Sequence, residues 1–188
     1  MEIRNIRTED IPGTLSISLA ELGSDYLSDA DFIEALDSET TFCKVATDGG
    51  KVLGFSVCQV FGPESVDEFL RLPDSEERDE LMRCNTIGLL DSVSILNEMK
   101  GHGIGKKLVR SCFDSFESIG MDAICAMAWK SIEGTTNIGH LLTELGLKPS
   151  LSIQGYWNQF VTSPDGHDCP VCGRPCRCYG VLYTKFKN

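Results

Sequence analysis

The chain has 188 residues, a length that predicts one domain (1–188) with a conventional core. A formal net charge of −11 and a pI near 4.7 argue against phosphate backbones as partners and suit a cationic acceptor such as an amine. No apolar run reaches the roughly 18 residues of a membrane span, and the opening Met-Glu-Ile-Arg-Asn-Ile-Arg carries no apolar secretory region, so a cytoplasmic protein is predicted, its oligomeric state open.

Ile3 to Arg7 alternates as a short strand does. Thr8-Glu9-Asp10 offers an N-cap and an acidic first turn to a helix whose inward face is read as Ile11, Leu15, Leu19 and Leu22, stopped by Gly23. A second helix is expected over Ser28 to Leu36, with Phe32, Ile33 and Leu36 inward. Thr41–Thr47 and Lys51–Phe61 read as strands joined through Asp48-Gly49-Gly50. Residues 62–84 turn charged and helix-prone, with a break at Pro73, and are read as a helical insertion over one face of the sheet.

Asn85–Leu96 is the next strand. After a glycine-rich loop, Ile104, Leu108, Val109, Cys112, Phe113, Phe116 and Ile119 recur at helical spacing, and Gly120 ends the helix. Ala123–Trp129 is a near-continuous apolar run, as in a strand covered on both faces. A helix from Thr135-Thr136-Asn137 to Leu145, closed by Gly146, precedes strands expected at Ser150–Phe160 and Tyr179–Phe186.

The loop Lys100-Gly101-His102-Gly103-Ile104-Gly105-Lys106 sits between strand and helix, where free backbone N–H groups and the helix dipole favour an anion. The nucleotide-triphosphate loop fails here, because Lys100 stands at its first glycine and Lys107 at its Mg-binding hydroxyl. The dinucleotide fingerprint fails too, since counting from Gly101 or Gly103 the third glycine falls on Lys106 or Leu108. Arg/Gln-x-x-Gly-x-Gly/Ala fits, and with the ordered strand, loop, helix, apolar strand and "LLTELGLKPS" the chain resembles the GCN5-related N-acetyltransferases over about 1–160 and 179–188.

That resemblance implies a mixed α/β fold: a mostly antiparallel sheet with a splayed parallel pair, flanked by helices. It implies acetyl-CoA as co-substrate, its pyrophosphate on the amides of Lys100, Gly101, His102, Gly103, Ile104, Gly105 and Lys106. Pantetheine would then pair near Ser94, Ile95 and Leu96, with the Ile95 N–H holding the thioester oxygen. Lys100 replaces the family's Arg or Gln and lacks the planar fork. Asp91 is the first candidate to take the amine proton and Glu98 a weaker one, against the alternative that each is a solvated or turn carboxylate. The family's general-acid tyrosine falls on Leu142, a departure that leaves His140, Tyr156 or water as substitutes. Trp129 and Asn137 stand where the family contacts the coenzyme tail, with a core indole and an N-cap amide as the bland alternatives.

Of nine cysteines, five are scattered in apolar stretches and read as reduced core thiols. The other four, Cys169, Cys172, Cys176 and Cys178, are spaced C-x2-C-x3-C-x-C inside a Cys-rich loop (163–180) of the C-terminal hairpin. Four thiolates so close match a closed, structural Zn²⁺ site, with His167 in reserve; Fe–S spacing differs, and two disulfides suit neither the compartment nor the compact spacing. The resemblance places this loop beside the acceptor, where it either shapes acceptor recognition or merely staples the hairpin. The function expected is transfer of acetyl to a primary amine, on a small molecule or a protein. The alternative is a non-catalytic module that binds CoA or a protein through a zinc-stabilised loop.

Overall fold

A computed structural model describes every residue except Asp25, Thr135, Asn137 and Asn188. Its centre is a seven-stranded sheet of β1 (Glu2–Asn5), β2 (Thr41–Asp48), β3 (Lys51–Phe61), β4 (Ile87–Ile95), β5 (Ala123–Lys130), β6 (Lys148–Gln154) and β7 (Tyr179–Phe186). The order across the sheet is β1-β2-β3-β4-β5-β7-β6, and every neighbouring pair is antiparallel except β4 and β5.

Among the described residues six helices flank it: α1 (Ile11–Glu21), α2 (Asp29–Asp37), α3 (Val66–Phe69), α4 (Glu76–Leu81), α5 (Ile104–Ile119) and α6 (Gly139–Glu144). Helices α5 and α6 cover one face. There Val109, Cys112, Phe113 and Phe116 meet Ile124, Ala126 and Ala128 of β5, and Leu142 joins them. The other residues of β5, Ala123, Cys125 and Met127, point to the opposite face, packed on Val66, Leu70 and Leu81 of the 62–84 segment and on Trp157. Period-two alternation with both faces buried explains why β5 reads as one apolar run. Helices α1 and α2 close the same face further along, over Val45, Phe55 and Val57.

Local chemistry sets the helix ends. The Ser28 amide donates to Asp31 at 2.7 Å, a reciprocal cap that starts α2 at Asp29. Gly120 ends α5 in the left-handed region, φ +87°, its amide on the Phe116 carbonyl.

Several expectations need correction. In α1 the buried side chains are Thr14, Ile17 and Ser18, while Leu19 is 46% exposed. Thr14 tolerates burial because its hydroxyl donates to the Ile11 carbonyl at 3.0 Å within its own turn. Ile33 and Ile119 also face solvent, at the edges of stripes whose other members are inward. Helix α6 begins at Gly139, later than expected, and Thr136 bridges back to Lys130 instead of opening it. β6 stops at Gln154, since Gly155 turns left-handed (φ +68°) and Tyr156–Phe160 winds into a 3-10 turn that buries Tyr156 and Trp157.

Candidate active site

Strands β4 and β5 run together for only four residue pairs, from Ile87 opposite Ala123 to Leu90 opposite Ala126. Beyond Leu90 the two strands part. At the same point β4 bulges against β3: Leu90 faces Cys58 and Ser92 faces Val57, so Asp91 has no opposite number. An extra residue in one strand bends it away from the sheet, which accounts for the parting and aims Asp91 and Ser92 at the space it opens.

The Leu96 amide donates to the Leu53 carbonyl of β3 at 2.9 Å. Alternation along the strand turns the backbone of Ser94 to β3 as well and leaves that of Val93 and Ile95 facing the gap, where the pairing with β5 has ended at Leu90. Of the three residues expected to offer backbone to pantetheine, Ile95 alone faces the gap; the amide of Leu96 is committed to the sheet.

The glycine loop lies just beyond. Gly101 and Gly103 hold φ +81° and +75°, a region in which a Cβ is strained, and a side chain at either would meet only open space. Two of the glycines therefore shape the turn itself. Gly105 is helical and faces Ile95. The first bond of α5 runs from the Lys107 amide to the Gly103 carbonyl, and among the described residues the amides of Gly101 to Lys106 make no backbone bond. His102 Nδ1 lies 3.0 Å from the Lys100 carbonyl oxygen and pins the turn from inside. The Lys100 ammonium pairs with Glu21 of α1 and that of Lys106 with Glu144 of α6 at 2.7 Å, which ties the loop to both flanking helices.

On the opposite side of the parted strands is a cavity of about 240 Å³. Its floor is Asp91, Ser92, Met127 and Trp129; Leu22 and Tyr26 wall it from the α1–α2 connection, and Trp157, His167, Cys169, Pro170 and Val171 from the segment before β7. Asp91 is half-buried, and its carboxyl is pushed up to about 6 by burial and then by the charge of Asp31. Burial and the Asp91 charge also push the Tyr26 phenol above its ordinary value.

Other candidates lie elsewhere. His140 stands on the outer side of α6, its side chain 90% exposed and its Nε2 3.3 Å from Glu144. Glu98 pairs with Lys51 at 3.4 Å in solvent. Tyr156 is buried and donates to the Leu70 carbonyl at 2.8 Å, and Leu142 is fully buried under α6. None of these four borders the cavity. Asn137 lies outside the described residues. Tyr26, Ser92 and Trp157, which do border it, carried no signal of their own in the sequence: an isolated tyrosine, a strand serine and a tryptophan after a tyrosine.

The cysteine loop runs between β6 and β7. The sulfurs of Cys169, Cys172, Cys176 and Cys178 all lie within 4.8 Å of one another, with separations of 3.9 Å (169–178), 4.0 Å (172–176) and 3.6 Å (172–178). Four thiolates at a Zn–S bond of about 2.3 Å stand about 3.8 Å apart along the edges of a tetrahedron, so the donor set fits Zn²⁺ and is far too wide for disulfides. The Arg177 amide donates to the Cys172 sulfur at 3.2 Å. Burial raises that thiol, but this amide and the neighbouring cysteines outweigh it and bring it down to about 7.

A parallel pair that parts beside a strand–glycine loop–helix unit is the arrangement that the resemblance to the N-acetyltransferases implied. Residues 2–131 match the model of the acetyltransferase (GNAT) family, and the chain belongs to that family. No curated protein matches it at a significant level. Solved structures similar to it include NAA60 of Arabidopsis thaliana in complex with a bisubstrate analogue, at TM-score 0.69 and 11% identity over 100% of this chain and 98% of that one. The ribosomal-protein-S18-alanine N-acetyltransferase of Escherichia coli is similar at 0.64 and 16%, over 97% and 91%. The Drosophila melanogaster polyamine N-acetyltransferase, which forms N-acetylagmatine, is similar at 0.62 and 12%, over 99% of each chain. Among the described residues no helix is long and apolar enough to cross a membrane.

Proposed function

We propose that this chain is an acetyl-CoA-dependent N-acetyltransferase acting on a primary amine by direct attack on the thioester, and that its four clustered cysteines hold a structural Zn²⁺. The observation that carries the transferase reading is the conjunction of the parted β4–β5 pair with the unpaired amides of the glycine loop. Acetyl-CoA supplies an activated acyl group; the chain supplies position and charge. Amides from Gly101 to Lys106 bind the pyrophosphate at the start of α5. The gap-facing edge of β4, Val93 and Ile95, receives the pantetheine arm, and the Ile95 N–H holds the charge that develops on the thioester oxygen.

The cavity on the far side receives the amine. An exposed ammonium has a pKa near 10.4, so a base must take its proton before attack. Asp91, half-buried at the bulge, takes that proton first; the neutral amine then attacks, and as the C–N bond forms and the C–S bond breaks the nitrogen gives up its second proton to solvent. The departing thiolate is stable enough to leave unaided and is protonated from solvent, consistent with Leu142 at the family's tyrosine position.

Thermal shift with acetyl-CoA and with CoA, followed by thiol release on a panel of small amines, polyamines and peptide N-termini, tests this reading. Stabilisation by both coenzymes with thiol release on at least one amine is expected. Stabilisation with no release on any of them is what a non-catalytic coenzyme-binding module predicts, a reading favoured by the buried Leu142 alone.

A further inference from the structure

The cysteine loop does more than close a hairpin. Cys169 belongs both to the thiolate cluster and to the cavity wall, and Pro170 and Val171, which follow it inside the metal turn, continue that wall. The wall then meets α1: a Cβ on Gly23 would come within 2.4 Å of the Asp168 carbonyl oxygen, and Tyr26 sets its ring edge against His167 at 5.9 Å. Behind it, Asn158 accepts from the amides of His167 (3.0 Å) and Cys176 (2.9 Å) and donates to the Cys176 carbonyl (2.8 Å). The cysteines are what this loop places in the core: Cys169, Cys176 and Cys178 are buried against Trp157, whereas Val171 is 54% exposed. A segment with so little apolar burial lacks the means to order itself, and a structural metal replaces the missing core.

We infer that a Zn²⁺ held by Cys169, Cys172, Cys176 and Cys178 orders the acceptor-side wall of the cavity, so that metal occupancy sets amine binding and leaves coenzyme binding unchanged. The two sites are separable in the structure. The pyrophosphate cradle is built from the 100–106 loop and α5; of the residues assigned to the coenzyme, Lys100 and Val93 line the cavity, whereas Gly101 to Lys106 and Ile95 do not. The inference rests on the transferase reading for its acceptor arm only.

Both tryptophans of the chain, Trp129 and Trp157, line this cavity, so tryptophan emission reports on its wall without any turnover. The purified full chain is assayed for zinc, stripped with a chelator under reducing conditions and refilled with Zn²⁺ or Co²⁺. One equivalent of zinc, thiolate-to-cobalt charge-transfer absorption in the near ultraviolet, and a red shift of emission on stripping that Zn²⁺ reverses are expected. In the stripped protein the CoA dissociation constant stays within about twofold, while KM for the amine turned over fastest in the panel rises about tenfold or more. No metal in the protein and no uptake of cobalt, or unchanged emission on stripping, overturns the inference. So does an equal loss of coenzyme and amine binding, which marks a general staple. Should the metal-loaded chain bind no coenzyme, the transferase reading fails by itself, and stoichiometry and emission still decide whether the metal builds the wall. Cys172→Ser and Cys176→Ser, if they fold, reproduce the stripped state; Val171→Asp, which keeps every ligand, is expected to alter amine KM at full zinc occupancy.

Discussion

At the scale of single residues the proposed base is Asp91, and its environment fixes a sign. Its folded pKa of about 6 lies above the unperturbed carboxylate value, so the fold favours the neutral form. Activity is therefore expected to rise as pH climbs through about 6 and the base becomes ionised. Asp91→Asn is expected to lower kcat by about 10²-fold or more and to flatten that limb of the pH–rate profile. The same shift bears on stability. Above pH 6 the ionised carboxylate opposes folding by up to about 3 kcal/mol, a contribution that disappears once the pH falls below about 4. Asp91→Asn should thus raise Tm at pH 7–8 and change it little near pH 4; a fall in Tm at pH 8 would contradict this environment. Gly103 makes a second test: at φ +75° an alanine is strained by about 1–2 kcal/mol, and Gly103→Ala is expected to weaken CoA binding in calorimetry while the far-ultraviolet spectrum is retained. That Asp91 lines the cavity and that Gly101 and Gly103 shape the turn before α5 was legible in the sequence, because strand position and spacing mark them. Tyr26 and Trp157 were not, since what makes them site residues is the tertiary packing of two distant loops around one cavity.

Among the elements, β5 and α5 were read nearly to the residue. Each satisfies one unambiguous pattern, a doubly buried strand and an amphipathic helix with a glycine stop. α1 was read in part: Ile11, Leu15 and Leu22 pack partly buried against the core and Leu19 faces solvent, while the fully buried contacts include Thr14 and Ser18 beside Ile17, polar side chains that no hydrophobic stripe reveals. The bulge at Asp91 is a property of pairing with β3 and leaves no mark within β4 itself. Packing between β4 and α5 gives an element-scale prediction. A Cβ on Gly88 would lie 2.7 Å from the Phe116 ring, which is fully buried between sheet and helix. Gly88→Ala is expected to destabilise the chain by about 1–3 kcal/mol in urea unfolding with the m-value preserved. An unchanged midpoint would show that α5 does not sit this close to the sheet.

For the molecule as a whole, the sheet divides the work. One face, under α5 and α6, presents amides at the start of a helix that make no backbone bond among the described residues; the other opens a mainly apolar cavity closed by a thiolate-rich loop. The parting of β4 from β5 joins them, and in the proposed reaction the coenzyme enters from one side and the amine from the other. The negative charge of the chain, −11 overall, is compatible with the proposal because the anion would be held by local backbone and a helix terminus, not by net charge. Titration calorimetry of the metal-loaded full chain with CoA tests this account most directly. One equivalent bound, with affinity reduced by Gly103→Ala, is the predicted result. Absence of binding heat with both CoA and acetyl-CoA across temperatures, together with no thermal stabilisation by either, would contradict it.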